Sequence, residues 1–280
     1  MGAYIGIDID QARINVIAVD DNNEIRGRLK AATPQNQTDV PKLILSMVSK
    51  LVDKTKLTSI GIASAGIIDY QKDKISSLEG TSWNDFSIVK SLEQVLEVPV
   101  ALDGDGNCGV YAEVTIGAAK NYHDVVYLLI SDHVSGGIIS NGKLHHGFFN
   151  SAIGHMTISD DKRQCSCGKS GHLESLVSLP AIADRFGAPA SELTEMEPWQ
   201  EISKELGLAI ANLTATLSPE IMILSGSLVN HGSKFFPALS PIVKQLFATY
   251  PIPPIITAKY IEEGPAMGAV LLAKNKTQRR

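Results

Sequence analysis

One pattern runs twice along the chain, and it narrows the folds open to it. In the first half, residues 4–9 (YIGIDI) and 14–19 (INVIAV) are apolar and β-branched, and residues 25–30 supply a third strand of a meander. Asp8 sits at the end of the first strand, and Asp20-Asp21-Asn22-Asn23 reads as a hairpin turn. Helical spacing follows over 39–57 through Val40, Leu43, Ile44, Met47, Val48 and Leu51. "LTSIGIASAGII" reads as a buried strand entering a glycine turn. "DFSIVKSLEQVLEVPVALDGD" reads as helix, proline break, short strand and polar loop, and "NCGVYAEVTIGAA" opens a helix after that loop. In the second half, "DVVYLLIS" is a strand, "GGIISNGKLHHG" a hairpin, and "EIMILSGSLV" a strand leading to a turn. Helices are expected around 173–185 and 199–217, with Pro198 suited to the first turn of the second. "PPIITAKYIEE" gives a late strand and "GPAMGAVLLAKN" a closing helix. Strands, a glycine turn and helices in each half predict a duplicated α/β architecture with a cleft between lobes.

Composition removes several function classes. The 280 residues carry a net charge of −5, so no electrostatic footprint for nucleic acid or an anionic membrane is expected. Only the final "KNKTQRR" is basic, as a solvated chain end would be. Three cysteines do not make a disulfide framework, and the opening strand is unlike a signal peptide. No apolar run approaches the roughly 20 residues that span a bilayer. A cytoplasmic protein with no membrane partner is the expectation.

Three constellations could carry chemistry. In "DGDGNCGVYAE", Asp105 falls in a glycine-flanked loop between a strand and a helix, where a carboxylate could accept a proton from a substrate hydroxyl. The spacing alone suits a plain turn and helix cap better. Between residues 155 and 172, His155, Cys165, Cys167 and His172 offer four ligands of the types zinc prefers. Clustered cysteines in a chain with only three favour a metal over unrelated loop thiols, and four protein ligands imply a closed structural site. Such a site would pin a long loop and, with it, Glu174 at the following helix start. The glycine turns "SGSL" (225–228) and "GPAMG" (264–268) could admit a nucleotide or phosphate, though glycine is common in α/β loops. Gly104, Gly106 and Gly109 spell G-x-G-x-x-G, but Asp103 and Asp105 would set two carboxylates beside a pyrophosphate.

Taken in order, these residues resemble the ROK family (repressors, open reading frames, kinases) of the sugar kinase/actin-like superfamily. The likeness covers nearly the whole chain and is sharpest in "GKLHHGFFNSAIGHMTI" and "CSCGKSGHLES". Within the family, "IASAGII", "FSIVKSLEQVLEVPV" and the lack of a glutamate before "IGH" look most like the bacterial N-acetylmannosamine kinases. The resemblance implies a two-lobed actin-like ATPase (ribonuclease H-like) fold with an interlobe cleft. Residues 1–108 plus 266–280 would form the small lobe, and 109–265 the large lobe with a zinc-binding loop at 155–172. It implies transfer of the γ-phosphoryl of ATP, with Mg²⁺, to the 6-hydroxyl of a hexose or N-acetylhexosamine. Asp105 would be the catalytic base, and His155 and Glu174 would contact sugar hydroxyls. His155 would join Cys165, Cys167 and His172 around a structural zinc, where the family usually has cysteine at position 172. Asp8, Gly136, Gly137 and Gly226 would lie at the nucleotide. Asn107 and Glu113 match the helix after the catalytic loop, and a homodimer is the usual family assembly.

The departures fall on the phosphate side. Asp8-Ile9-Asp10-Gln11-Ala12 replaces the family's Asp-x-Gly-Gly-Thr, and Ser131-Asp132-His133-Val134-Ser135-Gly136-Gly137 replaces Gly-Thr-Gly-x-Gly-Gly-Gly. Asp10 and Asp132 bring the wrong sign to a polyanion. At an effective dielectric of about 20, like charges about 4 Å apart repel by about 4 kcal/mol before screening. Ser225-Gly226 stands for Gly-Gly, Gly104 for the asparagine before the base, and Ala152 for a glutamate. Three functions therefore compete: a sugar kinase; an impaired relative that binds a sugar or sugar phosphate as a sensor or regulator; and a DNA-binding repressor. The repressors carry a helix-turn-helix ahead of the first strand, whereas here that strand begins at Tyr4, so nucleic acid is not expected as a partner.

Overall fold

A computed structural model of the chain describes residues 2–247 and 250–278. Arg279 and Arg280 of the basic tail lie outside the described residues. The chain packs as two units. Residues up to Glu113, His146–Ser151 and Glu263 onward form the first, and Val114–His145 with Ala152–Glu262 form the second.

The first unit is built on a five-stranded sheet of β1 (Ala3–Ile9), β2 (Arg13–Val19), β3 (Ile25–Ala32), β4 (Leu57–Ser64) and β8 (Val100–Gly104), in the order β3-β2-β1-β4-β8. The opening meander expected from the sequence supplies the three antiparallel strands. β4 and β8 extend the sheet in parallel, so that Asp8 pairs with Ala63, and Ala63 in turn with Asp103. A three-stranded sheet of β5 (Ile67–Asp69), β6 (Lys74–Ser77) and β7 (Asn84–Phe86) adds to this unit. One apolar core joins the strands to α1 (Val40–Leu51) and α2 (Ile88–Leu96). α1 ends six residues earlier than the periodicity over 39–57 suggests. The Asp53 side chain accepts from the Thr55 N–H and starts a short 3₁₀ turn, so Leu57 opens β4 instead.

The helix α3 (Asp105–Thr115) follows β8 directly. The closing helix α8 (Gly264–Gln278) runs so near the sheet that side chains are excluded at the contact. A Cβ on Gly61 would lie 1.9 Å from the Ala269 carbonyl, and one on Gly268 1.7 Å from the Cys108 carbonyl. That seam explains why α3 as far as Glu113 belongs to the first unit, whereas the sequence reading divided the chain at 108/109.

The second unit repeats the arrangement with β9 (Val125–Ile130), β10 (Val134–Ser140), β11 (Lys143–Leu144), β12 (Ile221–Ser225) and β13 (Ile255–Thr257), in the order β11-β10-β9-β12-β13. Again two antiparallel pairings are followed by two parallel ones. The helix expected around 173–185 is two helices, α4 (Glu174–Val177) and α5 (Leu179–Phe186). Ser178 takes an extended conformation between them and caps α5 by accepting from the Ala181 N–H, while Pro180 occupies the first turn of α5. α6 (Met196–Leu217) is the long helix that was expected. α7 (Gly232–Leu246) was not, because it carries Pro237 and Pro241. Both prolines are exposed, whereas Phe235, Leu239 and Val243 are wholly buried on the other face. Burial of that face, worth about 1.5–3 kcal/mol per large side chain, offsets the two lost backbone donors. Among the described residues no helix is long and apolar enough to cross a membrane.

Candidate active site and metal cluster

In the first unit, Asp105 is the opening residue of α3, set there by β8 with no intervening loop, which corrects the glycine-flanked loop expected from the sequence. It is 1% exposed, and its Oδ1 accepts from the Gly106 N–H at 2.7 Å. Asn107 and Glu113 of the same helix are also buried. Asp8 lies on β1, where the Asn15 amide donates to its Oδ2 at 3.3 Å. Asp10 closes the β1–β2 turn, donating its N–H to the Arg13 carbonyl and accepting from the Thr33 hydroxyl at its own carbonyl.

A second carboxylate two residues before Asp105 centres a network that sequence reasoning missed. Asp103 Oδ1 accepts from the Tyr70 hydroxyl at 2.9 Å, the Asn107 amide at 2.9 Å and the Gly104 N–H at 2.7 Å. Its Oδ2 lies 2.7 Å from Nε2 of His146. The Tyr70 and His146 rings meet edge to face at 4.8 Å. Burial, then the Asp103 charge, pushes the Tyr70 phenol far above its ordinary value, so it remains a donor. The hydrogen bond to Asp103 raises the His146 imidazole. Forty-three positions separate His146 from Asp103, and nothing local in the sequence pairs them.

In the second unit, the structure brings His155, Cys165, Cys167 and His172 together, with one ligand atom from each within 4.8 Å of the others. Cys165 Sγ is 3.4 Å from His155 Nδ1, and Cys167 Sγ is 3.3 Å from His172 Nδ1. Tetrahedral zinc with bonds of about 2.0–2.3 Å sets ligand atoms roughly 3.3–3.8 Å apart, so the two Cys–His pairs already stand at that spacing and the widest separation would have to close by about 1 Å around an ion. Burial pushes the Cys165 thiol up to about 12, and a bound cation would be needed to hold the thiolate. His155 stands on a short 3₁₀ turn, and the other three ligands come from the loop that runs into α4.

Glu174, the first residue of α4, is tied to both neighbouring loops. Its Oε2 accepts from the Val134 N–H at 2.9 Å, and its Oε1 from the Ser166 hydroxyl at 2.7 Å and the Cys165 thiol at 3.6 Å. Gly136 lies on β10, where a Cβ would meet Ile153 Cδ1 at 2.6 Å. Gly137 is its neighbour on that strand. Gly226 follows β12 at φ +87°, and a Cβ there would lie 2.3 Å from the Ile130 carbonyl. Glycine is thus required at 226 by backbone geometry alone. The Ser131 and Ser227 hydroxyls are 3.2 Å apart, joining the turns after β9 and β12.

A glucokinase of Halalkalibacterium halodurans is 28% identical over 291 aligned positions, covering 89% of this chain and 86% of that protein. The xylose repressor of Bacillus subtilis is 27% identical over 81% of this chain, which spans 65% of the repressor's length. Among solved structures, a ROK family glucokinase from Streptomyces griseus in complex with glucose and AMPPNP superposes with a TM-score of 0.86. It is 22% identical over 98% of this chain and all of that one, and it shares the actin-like fold expected from the sequence. The sequence model of the ROK family matches residues 4–276, and the chain belongs to the ROK family.

Proposed function

We propose that the protein is a cytoplasmic ATP-dependent sugar kinase that phosphorylates a hexose or an N-acetylhexosamine, of the N-acetylmannosamine kind, at the 6-hydroxyl. The observation that carries this reading is the buried Asp105 at the β8–α3 junction, in a chain that matches a family with sugar kinases among its members. Asp105 accepts the proton of the attacking hydroxyl, and its placement at the head of a packed helix gives the fixed geometry a general base requires. His155 and Glu174 orient the ring. Three donors already occupy Glu174, which leaves about one of its four acceptor directions for a sugar hydroxyl. His155, Cys165, Cys167 and His172 would hold zinc, which supplies a structural cross-link when bound. Asp8, Gly136, Gly137 and Gly226 would lie at Mg-ATP, whose cation offsets charge on the phosphates. A homodimer without a nucleic-acid partner completes the reading.

A second reading is favoured by Asp10 and Asp132, which stand where phosphate-binding loops need donors. Under it, the protein binds a sugar or sugar phosphate as a sensor or regulator with impaired phosphoryl transfer. The test is purified protein with ATP, Mg²⁺ and N-acetylmannosamine, N-acetylglucosamine, glucose or mannose. Turnover that Asp105→Asn abolishes supports the kinase. No turnover, with a sugar but not ATP raising the melting temperature, supports the sensor.

A further inference from the structure

Beside Asp105, the segment His146–Ser151 leaves the hairpin of the second unit and packs into the first. Two of its side chains shape the surroundings of residues 103–105. Asn150 fills the space next to Gly104, where a Cβ would lie 2.9 Å from the Asn150 Cβ. Its amide bridges backbone, accepting from the Ile68 N–H at 3.0 Å and donating to the Gly66 carbonyl at 3.1 Å. Gly104 therefore offers no side chain to a ligand, and Asn150 is held in place by its two backbone partners with one donor and one acceptor direction beyond them.

His146 is different. Asp103 is buried and committed at both oxygens, yet the His146 side chain it holds is 41% exposed. A carboxylate is acceptor-only, so the proton on the bonded edge of the ring sits on Nε2. That leaves Nδ1, which has no partner among the described residues, as an acceptor in the neutral ring and a donor in the imidazolium. Either form pairs with a hydroxyl, which both gives and takes hydrogen bonds. The dyad carries a net charge of −1 or zero, which suits a neutral polyol and not a phosphate. Tyr70, by its edge contact, and Asp103, by its bond, fix the ring in one orientation.

We propose that His146, oriented by Asp103, is a sugar-contacting residue of this kinase that hydrogen-bonds a hydroxyl of the acceptor through Nδ1 and sets preference among sugar epimers. This rests on the sugar-kinase reading of Asp105. The test is calorimetric titration of the full chain with N-acetylmannosamine, N-acetylglucosamine, glucose and mannose, for wild type, His146→Ala, His146→Gln and Asp103→Asn, with KM for ATP measured alongside. Loss of a well-held hydrogen bond predicts that His146→Ala weakens the preferred sugar about tenfold or more and narrows the gap between epimers. KM for ATP should hold steady. His146→Gln, which keeps a donor and an acceptor, should recover part of the loss, and Asp103→Asn should weaken the same sugar through a misoriented ring. Sugar affinity in His146→Ala within about twofold of wild type, below the worth of one hydrogen bond, would overturn the inference and leave the kinase reading standing. So would equal losses for sugar and ATP, which would mark a structural role. Failure of the wild type to bind any of the four sugars would sink the kinase reading and this inference with it.

Discussion

Glu174 accepts the backbone N–H of Val134 across 2.9 Å, and this one bond links the turn between β9 and β10 to the loop that carries three of the four candidate metal ligands. The carboxylate is 8% exposed and Val134 is 5% exposed, so the Val134 N–H has no ready replacement in water. Glu174→Ala should leave the buried Val134 N–H without its acceptor, whereas the exposed Ser166 hydroxyl can turn to water. A buried group stripped of its partner costs about 1–3 kcal/mol. Amide hydrogen exchange at Val134 should accelerate in the variant while exchange along β1 is unchanged, and equal protection at Val134 would show that the bond does not order the turn.

Metal content checks the cluster directly. Wild-type protein should purify with about one zinc per chain, and Cys165→Ser with Cys167→Ser together should lose it, since two of four ligands are gone. Because metal binding is coupled to folding of its loop, the melting temperature should fall as well, at about 2–4 °C per kcal/mol for a unit of this size. Unchanged zinc in the double variant would mean that the ion, if bound, sits elsewhere.

Gly268→Ala probes the seam between α8 and α3. The added methyl would sit 1.7 Å from the Cys108 carbonyl, and backbone on both sides must shift. Overpacking of this kind costs about 1–3 kcal/mol or more. Urea unfolding should show a lower midpoint with an unchanged slope. Since Cys108 lies three residues past Asp105, turnover should fall too. A wild-type midpoint would place the seam's helices further apart than described.

The Asp103–His146 pair should make stability depend on pH in one direction. The folded His146 imidazole is raised above its unfolded value of about 6.5 by the Asp103 hydrogen bond. Its stabilising contribution is therefore full below that unfolded value and fades as pH rises through the higher, folded one. The stability gap between wild type and His146→Ala should be larger near pH 5.5 than near pH 8.5, about one unit below and two above that unfolded value. Asp103→Asn should flatten it. A gap that grows with pH would reverse the assigned sign.

Much of this protein was legible before any coordinates. The β-branched meander, the repeated strand–turn–helix pattern and the Cys165/Cys167 pair are local signals, and local signals survive in a linear string. Helix ends were less legible. α1 stops at Leu51 because Asp53 captures a backbone donor, and α4 and α5 part at Ser178 because its side chain caps the second helix. In both cases one short side chain competes with a periodicity that runs on past it. α7 was hidden because two prolines argue against a helix, whereas burial of Phe235, Leu239 and Val243 decides for it.

The sequence by itself determined the family and the duplicated α/β plan, and it singled out Asp105 and the His155, Cys165, Cys167 and His172 set as candidates, because each rests on residue identity and spacing along the chain. Tertiary structure alone decided which groups meet. It set Nε2 of His146 on Asp103, Asn150 beside Gly104, and both oxygens of Glu174 on the loops around it. Those pairs join residues 8 to 46 positions apart, and only packing brings them within a few ångströms of each other.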